Sequence, residues 1–505
     1  PQGSTDRNSK WTSVGSLSGW MGPCSVRRRC KLTECAVVIL AAGQGTRMKS
    51  CLAKVLHPLV GVPMLSYVMD LVQSLRFEKM FVIVGHQAEA VSKLVLEKHL
   101  VPLLQSPPRG TGDAVLQAKE ALNGFLGPVL ILNGDTPLLR EETIRGFLNR
   151  YKQEEASVGF LTVSLDNPYG YGRVIRREDG VILRIVEEKD ATPSERLIRE
   201  VNAGVYLCDT HFLFHALDQI QPNNQQKEYY LTDVVGIAVS EGVRLIGVEA
   251  PSDEVIGVNS RVDLAKVTQV IRARINHRWM MEGVTLIDPS QIYIDATVTL
   301  GSDSVLYPGV ALEGNTHIGA GVTIYPSRIR DSKIGDDVVI KDQCVIDGAE
   351  IESNVSIGPF AHLRPGAVIR KSARVGNFVE VKKSVLGEGS KANHLTYLGD
   401  AKIGKGVNIG AGTITCNYDG KNKFETIIED DVFIGSDTLL VAPVRVGRGA
   451  LIAAGTTVTK DVPADALAIS RVKQENRAEW AKKRSGKTRN NGSSQRGDES
   501  SPGKK

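Results

Sequence analysis

The chain has 505 residues, too many for one ordinary core, so two or three domains are expected. Aromatics make up only 5%, and the formal net charge of +5 sits largely in basic ends at 25–31 and 479–505, so no nucleic-acid surface is implied. No stretch reaches the roughly eighteen consecutive apolar residues of a membrane span, and the seven cysteines form no C-x-x-C pair. The sequence thus speaks against membrane insertion, structural zinc and a disulfide framework, and for a reducing cytoplasm.

Residues 1–32 lack the apolar core of a signal peptide and are expected to form a disordered leader. From 33 to 260, strands alternate with helices. Strand candidates are 36–40, 80–84, 129–132, 158–163, 182–186, 203–207 and 243–248, with amphipathic stretches at 63–76, 87–98, 111–122 and 141–152. This pattern predicts an α/β fold with an open, mostly parallel sheet and helices on both faces, its ligands lying beyond the carboxyl ends of the strands.

The first strand empties into "LAAGQGTRM" (40–48). It fits neither the dinucleotide fingerprint nor the P-loop. Gly43 and Gly45 let backbone amides approach an anion, Arg47 adds a fork of donors, and Lys54 brings a mobile charge seven residues later. The outline is a triphosphate clamp, with a tight βα turn carrying two surface bases as the plain alternative. Asp135, just past a strand, offers a hard oxygen to Mg²⁺, where a helix cap or turn residue is the ordinary role.

Residues 261–282 form a linker helix with an apolar stripe, long enough to act as a strut. From 283 to 469 aliphatic residues recur every six positions: Leu300, Leu306, Leu312, Ile318 and Ile324; then Ile357, Leu363, Ile369, Val375 and Val381; then Ile434, Leu440, Val446, Ile452 and Val458. A period of six is a repeat array, in which three short strands and three tight turns make one coil of a parallel β-helix. Polar interruptions of the rhythm at 382–400 and 411–430 are expected to project as loops and to carry a second site. Residues 470–505 form a C-terminal segment ending in a basic disordered tail.

The ordered motifs "LAAGQGTRM", "GTGDA", "NGDTPLL", "GYGRV", "VEEKDA", "NAGVY", "YYLTD", "GVNSR", "LRPGA", "GNFVEVKK", "HLTYLGD" and "NIGAGTITCNYDG" run from about 35 to 480. With them the chain resembles the bacterial bifunctional GlmU family, in which a Rossmann-like nucleotidyltransferase domain precedes a left-handed β-helix acyltransferase. The resemblance implies acetyl-CoA-dependent N-acetylation of glucosamine-1-phosphate, then uridylyl transfer from UTP to N-acetylglucosamine-1-phosphate with release of pyrophosphate. It also implies a homotrimer.

The resemblance assigns UTP or UDP-sugar binding to Leu40, Ala41, Ala42, Gly43, Gly45, Lys54, Gln105, Gly110, Thr111, Asn133 and Asp135, with Gly172, Glu187 and Asn202 lining the sugar pocket and Asn259 completing the set. Arg47 and Lys54 act on the phosphates, while Asp135 and Asn259 hold Mg²⁺, helped through water by Asp233. In the β-helix, His394 is the expected general base, since an amino sugar must lose a proton to attack; an exposed turn histidine is the plain alternative. Arg364, Lys382, Tyr397, Asn408, Asn417 and Lys423 would bind the sugar phosphate. Ala411, Asn417, Tyr418, Ser436, Ala454 and Arg471 would face acetyl-CoA, and Asn417 or Ser436 could also steady the amine, the histidine or the thioester.

Two positions depart from the family pattern: Ala53 stands where many members have proline, and Asn133 where tyrosine or serine often precedes Gly-Asp. Two other functions fit parts of the pattern. One is an inactive nucleotide-sugar sensor with a scaffold solenoid; the other is a glucose-1-phosphate nucleotidyltransferase with a degenerate one. Intact Arg47, Lys54, Asp135, His394 and Lys382 argue against the first, and the polar interruption at 382–400 against the second.

Overall fold

The structure, a computed structural model, describes residues 35–489; the expected leader and the tail beyond 489 lie outside the described residues. These form two compact units. One runs to His57 and resumes over Met64–Asn259, and the other comprises Pro58–Pro63 and the chain from Ser260 onward.

In chain order the elements are β1 (Ala36–Ala41), β2 (Pro58–Leu59), β3 (Val62–Pro63), α1 (Met64–Ser74), β4 (Lys79–Val84), α2 (Ala88–Glu97), β5 (Val101–Leu104), α3 (Thr111–Leu116), β6 (Pro128–Asn133), α4 (Glu141–Gln153), β7 (Val158–Ser164), β8 (Arg173–Arg176), β9 (Ile182–Val186), β10 (Glu200–Asp209), α5 (Thr210–Gln219), α6 (Asp233–Ser240), β11 (Leu245–Glu249) and α7 (Arg261–Met281). The main sheet has the order β11-β7-β10-β6-β1-β4-β5. Strands β1, β4, β5 and β6 are parallel, whereas β10 runs antiparallel between β6 and β7. Strand β1 is buried on both faces: Val37, Ile39 and Ala41 enter one core, Ala36 and Val38 the other. Such a strand reads as an unbroken apolar run, which is why it is visible in the sequence.

Three expectations change. The helix expected over 111–122 ends at Leu116, because Gln117, Ala118 and Lys119 bond three residues back and tighten into turns. Strands β5 and β8 are additional. The C-terminal tail, expected to be disordered, is helical over Trp480–Arg489 (α8), within a run rich in the strong helix formers Ala, Lys and Arg.

Within the second unit, β2 and β3 make a hairpin whose turn residues Val60 and Gly61 both have positive φ. The Val60 carbonyl accepts from Ala296 N at 3.0 Å, and a Cβ on Gly61 would lie 2.5 Å from Asp295. Helix α7 opens with a capping box between Ser260 and Asp263 and buries Val267, Ile271, Ile275 and Trp279, one apolar line along its length. Its buried Asn276 donates to the Pro289 and Ile292 carbonyls, fixing the helix to the first coil.

The solenoid is a left-handed parallel β-helix of hexapeptide repeats. Its first face includes Ser356–Ile357, the start of Arg374–Lys382, the start of Lys391–Gly399, and then Asn408–Ile409 and Phe433–Ile434. The second face stacks His362–Leu363, the ends of the same two long strands, Ile414–Cys416 and Leu439–Val441.

The expected loop at 382–400 is a correction: no loop projects there. Inward positions continue as Val381, Leu386, Ala392, Leu398, Ile403 and Ile409, all buried, so two corners are merely one residue shorter. Strands Arg374–Lys382 and Lys391–Gly399 stay paired through the corner, turning at Phe378 and Leu395, which have φ of 56° and 47°. The second interruption is a true excursion only between Ile414–Cys416 and Thr426–Ile428, and it is closed by a Tyr418–Lys423 bridge.

Candidate functional site

Strands β1 and β6 end side by side, so the loops that follow them face each other across a cavity of about 550 Å³. It is lined by Leu40, Ala41, Ala42, Gly43, Gly45, Lys54, Gln105, Gly110, Thr111, Asn133 and Asp135, all expected from sequence, together with Gln44, Thr46, Val55, Pro108, Ala114 and Glu228. Gly45 has φ of 64°, and a Cβ there would lie 2.6 Å from Lys54 Cβ, so glycine is what lets the lysine pack under the loop. At Gly110, φ is 114° and a Cβ would meet the Tyr229 carbonyl at 2.6 Å. The buried Gln105 amide donates to the Gly110 carbonyl at 3.0 Å and to Asp113 Oδ2 at 2.7 Å, which aims its own carbonyl oxygen.

Lys54 ties the site together. Its ammonium is ion-paired with Asp135 Oδ2 and lies 3.3 Å from Asn259 Oδ1, which also accepts from Arg47 at 2.8 Å. Arg47 and Asn259 thus belong to this cluster although neither lines the cavity. A Cβ on Gly257 would sit at ordinary contact distance, 3.5 Å from Asn259 Nδ2 and 4.0 Å from Asp135 Oδ1, so the backbone at 257 lies beside both side chains. Among the described residues no group of three or more His, Cys, Asp or Glu is arranged to hold a metal. One carboxylate and one amide oxygen fit a Mg²⁺ ion that keeps waters and takes phosphate oxygens, rather than an all-protein cage.

Gly172, Glu187 and Asn202 form a neighbouring group outside the cavity lining. A Cβ on Gly172 would lie 3.4 Å from Glu187 Oε1, and Asn202 N donates to the Gly172 carbonyl at 2.9 Å. Asn133 reaches this group through Gly204, where an added Cβ would come within 2.1 Å of its amide nitrogen. Burial pushes the Glu187 carboxyl up, against a hydrogen bond from Thr232, and burial with nearby Asp190 raises Asp233 to about 6.

In the β-helix, the corner between the first two faces forms a column. His394, Ala411, Ser436 and Ala454 each precede a residue with positive φ: Leu395, Gly412, Asp437 and Gly455. Successive coils are bonded there, Gly412 N to Leu395 O, Asp437 N to Ala411 O and Gly455 N to Ser436 O, and Arg471 donates to the Ala454 carbonyl at 3.0 Å. Four of the six residues expected to face acetyl-CoA therefore share one edge with His394. The exposed imidazole has its Nδ1 2.8 Å from Asn377 Oδ1, a partner the sequence pattern does not single out.

The second face carries the cations. The Lys423 ammonium beside Lys382 draws the Lys382 ammonium below its ordinary range, and Arg364 adds to this from nearby. Arg364 is paired with Glu380 at 2.7 Å, and Glu380 lies in register beside Tyr397. Cations gathered in this way create a positive potential that attracts anions. Asn417 is buried, with its amide on Asp400, and Tyr418 closes the loop on the Gly420 carbonyl at 2.6 Å. Asn408 is the exception: it lies on the first face beside Lys391 and Phe433, away from the Lys382 strand ends.

Residues 37–178 match the MobA-like NTP transferase domain family, and residues 292–326 and 425–460 match the hexapeptide repeat of succinyl-transferase. The chain is 50% identical over 449 residues to the bifunctional protein GlmU of Halalkalibacterium halodurans, covering 88% of this chain and 98% of that protein. It is also 50% identical over 448 residues to the bifunctional protein GlmU of Pelobacter propionicus, covering 88% and 97%, and 50% identical over 452 residues to that of Trichlorobacter lovleyi, covering 89% and 98%.

Proposed function

The chain belongs to the family of bifunctional GlmU proteins, and from that premise we propose how its residues divide two reactions. The protein is an enzyme of UDP-N-acetylglucosamine synthesis: it acetylates glucosamine-1-phosphate from acetyl-CoA, then transfers a uridylyl group from UTP to N-acetylglucosamine-1-phosphate, releasing pyrophosphate. The observation that carries the division is chemical. Phosphate-seeking cations meet oxygen donors in the first unit, at Lys54, Arg47, Asp135 and Asn259, while an imidazole with one nitrogen already engaged stands in the second.

In uridylyl transfer, backbone amides of the loop at Gly43 and Gly45 cradle the UTP phosphates and Gln105 with Gly110 and Thr111 reads the base. The sugar-phosphate oxygen attacks the α-phosphorus and pyrophosphate leaves, with Lys54 and Arg47 neutralising the charge that builds between them. Mg²⁺ held by Asp135 and Asn259 would gather and neutralise phosphate oxygens. Gly172, Glu187 and Asn202 orient the sugar. In acetyl transfer, Lys382, Lys423 and Arg364 hold the sugar phosphate, Tyr397, Asn408 and Asn417 its hydroxyls, and the corner column with Tyr418 and Arg471 the acetyl-CoA. The amine nitrogen attacks the thioester carbonyl as its proton passes to His394 Nε2, and CoA thiolate departs.

Because Asn408 is set apart from the cations within one chain, a site completed by a second subunit suits the assignment, and we take the active form to be a homotrimer. A cytoplasmic setting suits the free cysteines at 35, 51, 208, 344 and 416. Among the described residues no helix is long and apolar enough to cross a membrane. The test is incubation with glucosamine-1-phosphate, acetyl-CoA, UTP and Mg²⁺, with products resolved by mass and subunit number measured by sedimentation. Uridylyl transfer that survives in both Lys54→Ala and Asp135→Asn would overturn the site assignment.

A further inference from the structure

The loop that delivers Lys54 has little regular structure of its own, yet its lysine must stay fixed between Asp135 and Asn259. Gln87 touches this loop twice. Its Oε1 accepts from Ala53 N at 2.9 Å and its Nε2 donates to the Cys51 carbonyl at 2.5 Å, so one side-chain amide closes a ring of hydrogen bonds on the two peptides that flank Leu52, one peptide short of the lysine.

Two features show that Gln87 is placed for this contact and not for its own helix. It is the N-cap of α2, but its side chain makes no capping bond, and glutamine is not a favoured capping residue. Its backbone is left-handed, with φ of 52° and ψ of 43°, a conformation that glycine adopts without strain and glutamine does not. A side chain kept at a backbone position suited to glycine has work to do elsewhere. The same turn is bonded to the phosphate loop, His86 N donating to the Ala42 carbonyl at 3.2 Å, so one short segment holds both loops of the cavity.

We propose that Gln87 is a positioning residue for uridylyl transfer: its amide clamps Cys51 and Ala53 and thereby fixes the reach of Lys54 into the phosphate site. It touches no substrate and acts only through the loop. Ala53 has φ of −53° and ψ of 138°, within the range that proline enforces, so a proline at 53 would stiffen the same peptide covalently while removing the N–H that Gln87 binds. Clamp and proline are then alternative ways to hold one loop, and each makes the other dispensable.

The inference rests on Lys54 acting in uridylyl transfer, and Lys54→Ala is run alongside to separate the two. The full-length enzyme is assayed for both activities as wild type, Gln87→Ala, Gln87→Gly, Ala53→Pro and the double variant Gln87→Ala with Ala53→Pro. Gln87→Ala should lower kcat for uridylyl transfer about 10-fold, since a small misplacement of a positioning group is costly, with acetyl transfer unchanged. Gln87→Gly should lose as much kcat while melting no lower than wild type, because it relieves the left-handed backbone; a merely structural residue would not separate activity from stability in this way. Adding Ala53→Pro to Gln87→Ala should restore kcat to within about threefold of wild type. Wild-type uridylyl transfer in both Gln87 variants, a loss that Ala53→Pro does not lift, or a parallel loss of acetyl transfer would each overturn the clamp. If Lys54→Ala retains activity, the underlying site assignment fails instead.

Discussion

Asn377 Oδ1 lies 2.8 Å from His394 Nδ1, one coil earlier on the same corner of the β-helix. An amide oxygen only accepts, so the imidazole nitrogen facing it carries the proton and Nε2 keeps its lone pair, the tautomer a general base needs. Asn377→Ala should therefore lower acetyl-transfer kcat about 10-fold with little change in the KM for acetyl-CoA. Asn377→Asp should move the acid limb of the pH–rate profile upward by about one unit, because a carboxylate beside the ring favours its charged, non-basic form. An acid limb that stays in place in Asn377→Asp would show that the contact does not tune the base.

His394→Ala should lower acetyl transfer by roughly 10²- to 10⁴-fold. Higher pH should partly rescue it, since more of the amino sugar is then already deprotonated. The same variant should couple UTP to supplied N-acetylglucosamine-1-phosphate at the wild-type rate, because Lys54, Arg47 and Asp135 belong to the other unit. The check is a pH series at saturating acetyl-CoA with a uridylyl-transfer control; wild-type acetylation throughout would return His394 to an ordinary exposed residue.

The buried strands and the hexapeptide rhythm were legible because each follows from a period the chain must keep. Val37 and Ile39 read as strand since both faces of β1 are covered, and Leu306, Leu312 and Ile318 read as coil since each fills the same interior. The stretch 382–400 was misleading for a related reason: a corner one residue short looks like a broken repeat, although Leu386, Ala392 and Leu398 still point inward. The loop that lines the first cavity was legible in Gly43, Gly45 and Lys54. Asn377 and Gln87 were not, because their partners are 17 and 34 residues away and are met only through coil register or loop packing.

Asp135→Asn should reduce uridylyl transfer by about 10²-fold or more while leaving acetyl transfer intact. The substitution removes the charge that pairs with Lys54 and weakens an oxygen donor that suits Mg²⁺. Titrating Mg²⁺ in the assay should show the variant needing a higher concentration for half-maximal rate. Equal loss of both activities in a folded variant would contradict two independent sites.

The last prediction concerns Asp233, whose carboxyl is raised to about 6 by burial first and by Asp190 second. The unfolded chain ionises this group near its ordinary value of about 3.9, so between about 4 and 6 the folded protein holds the extra proton. Stability contributed by the protonated group is therefore present below that window and lost as pH rises through it. Asp233→Asn, which keeps the shape without the charge, should stabilise the protein at pH 7–8 and change little at pH 4. Discounted for the partial exposure of the group, the gain is about 1 kcal/mol. Burial first pushes the Glu187 carboxyl up and the Asp233 charge adds to it, so the two repel when both are ionised and the gain should shrink in a Glu187→Gln background. Denaturant melts at pH 4, 6 and 8 read this directly. A variant less stable than wild type at pH 8 would mean that ionised Asp233 is stabilised by a partner and that burial does not dominate its titration.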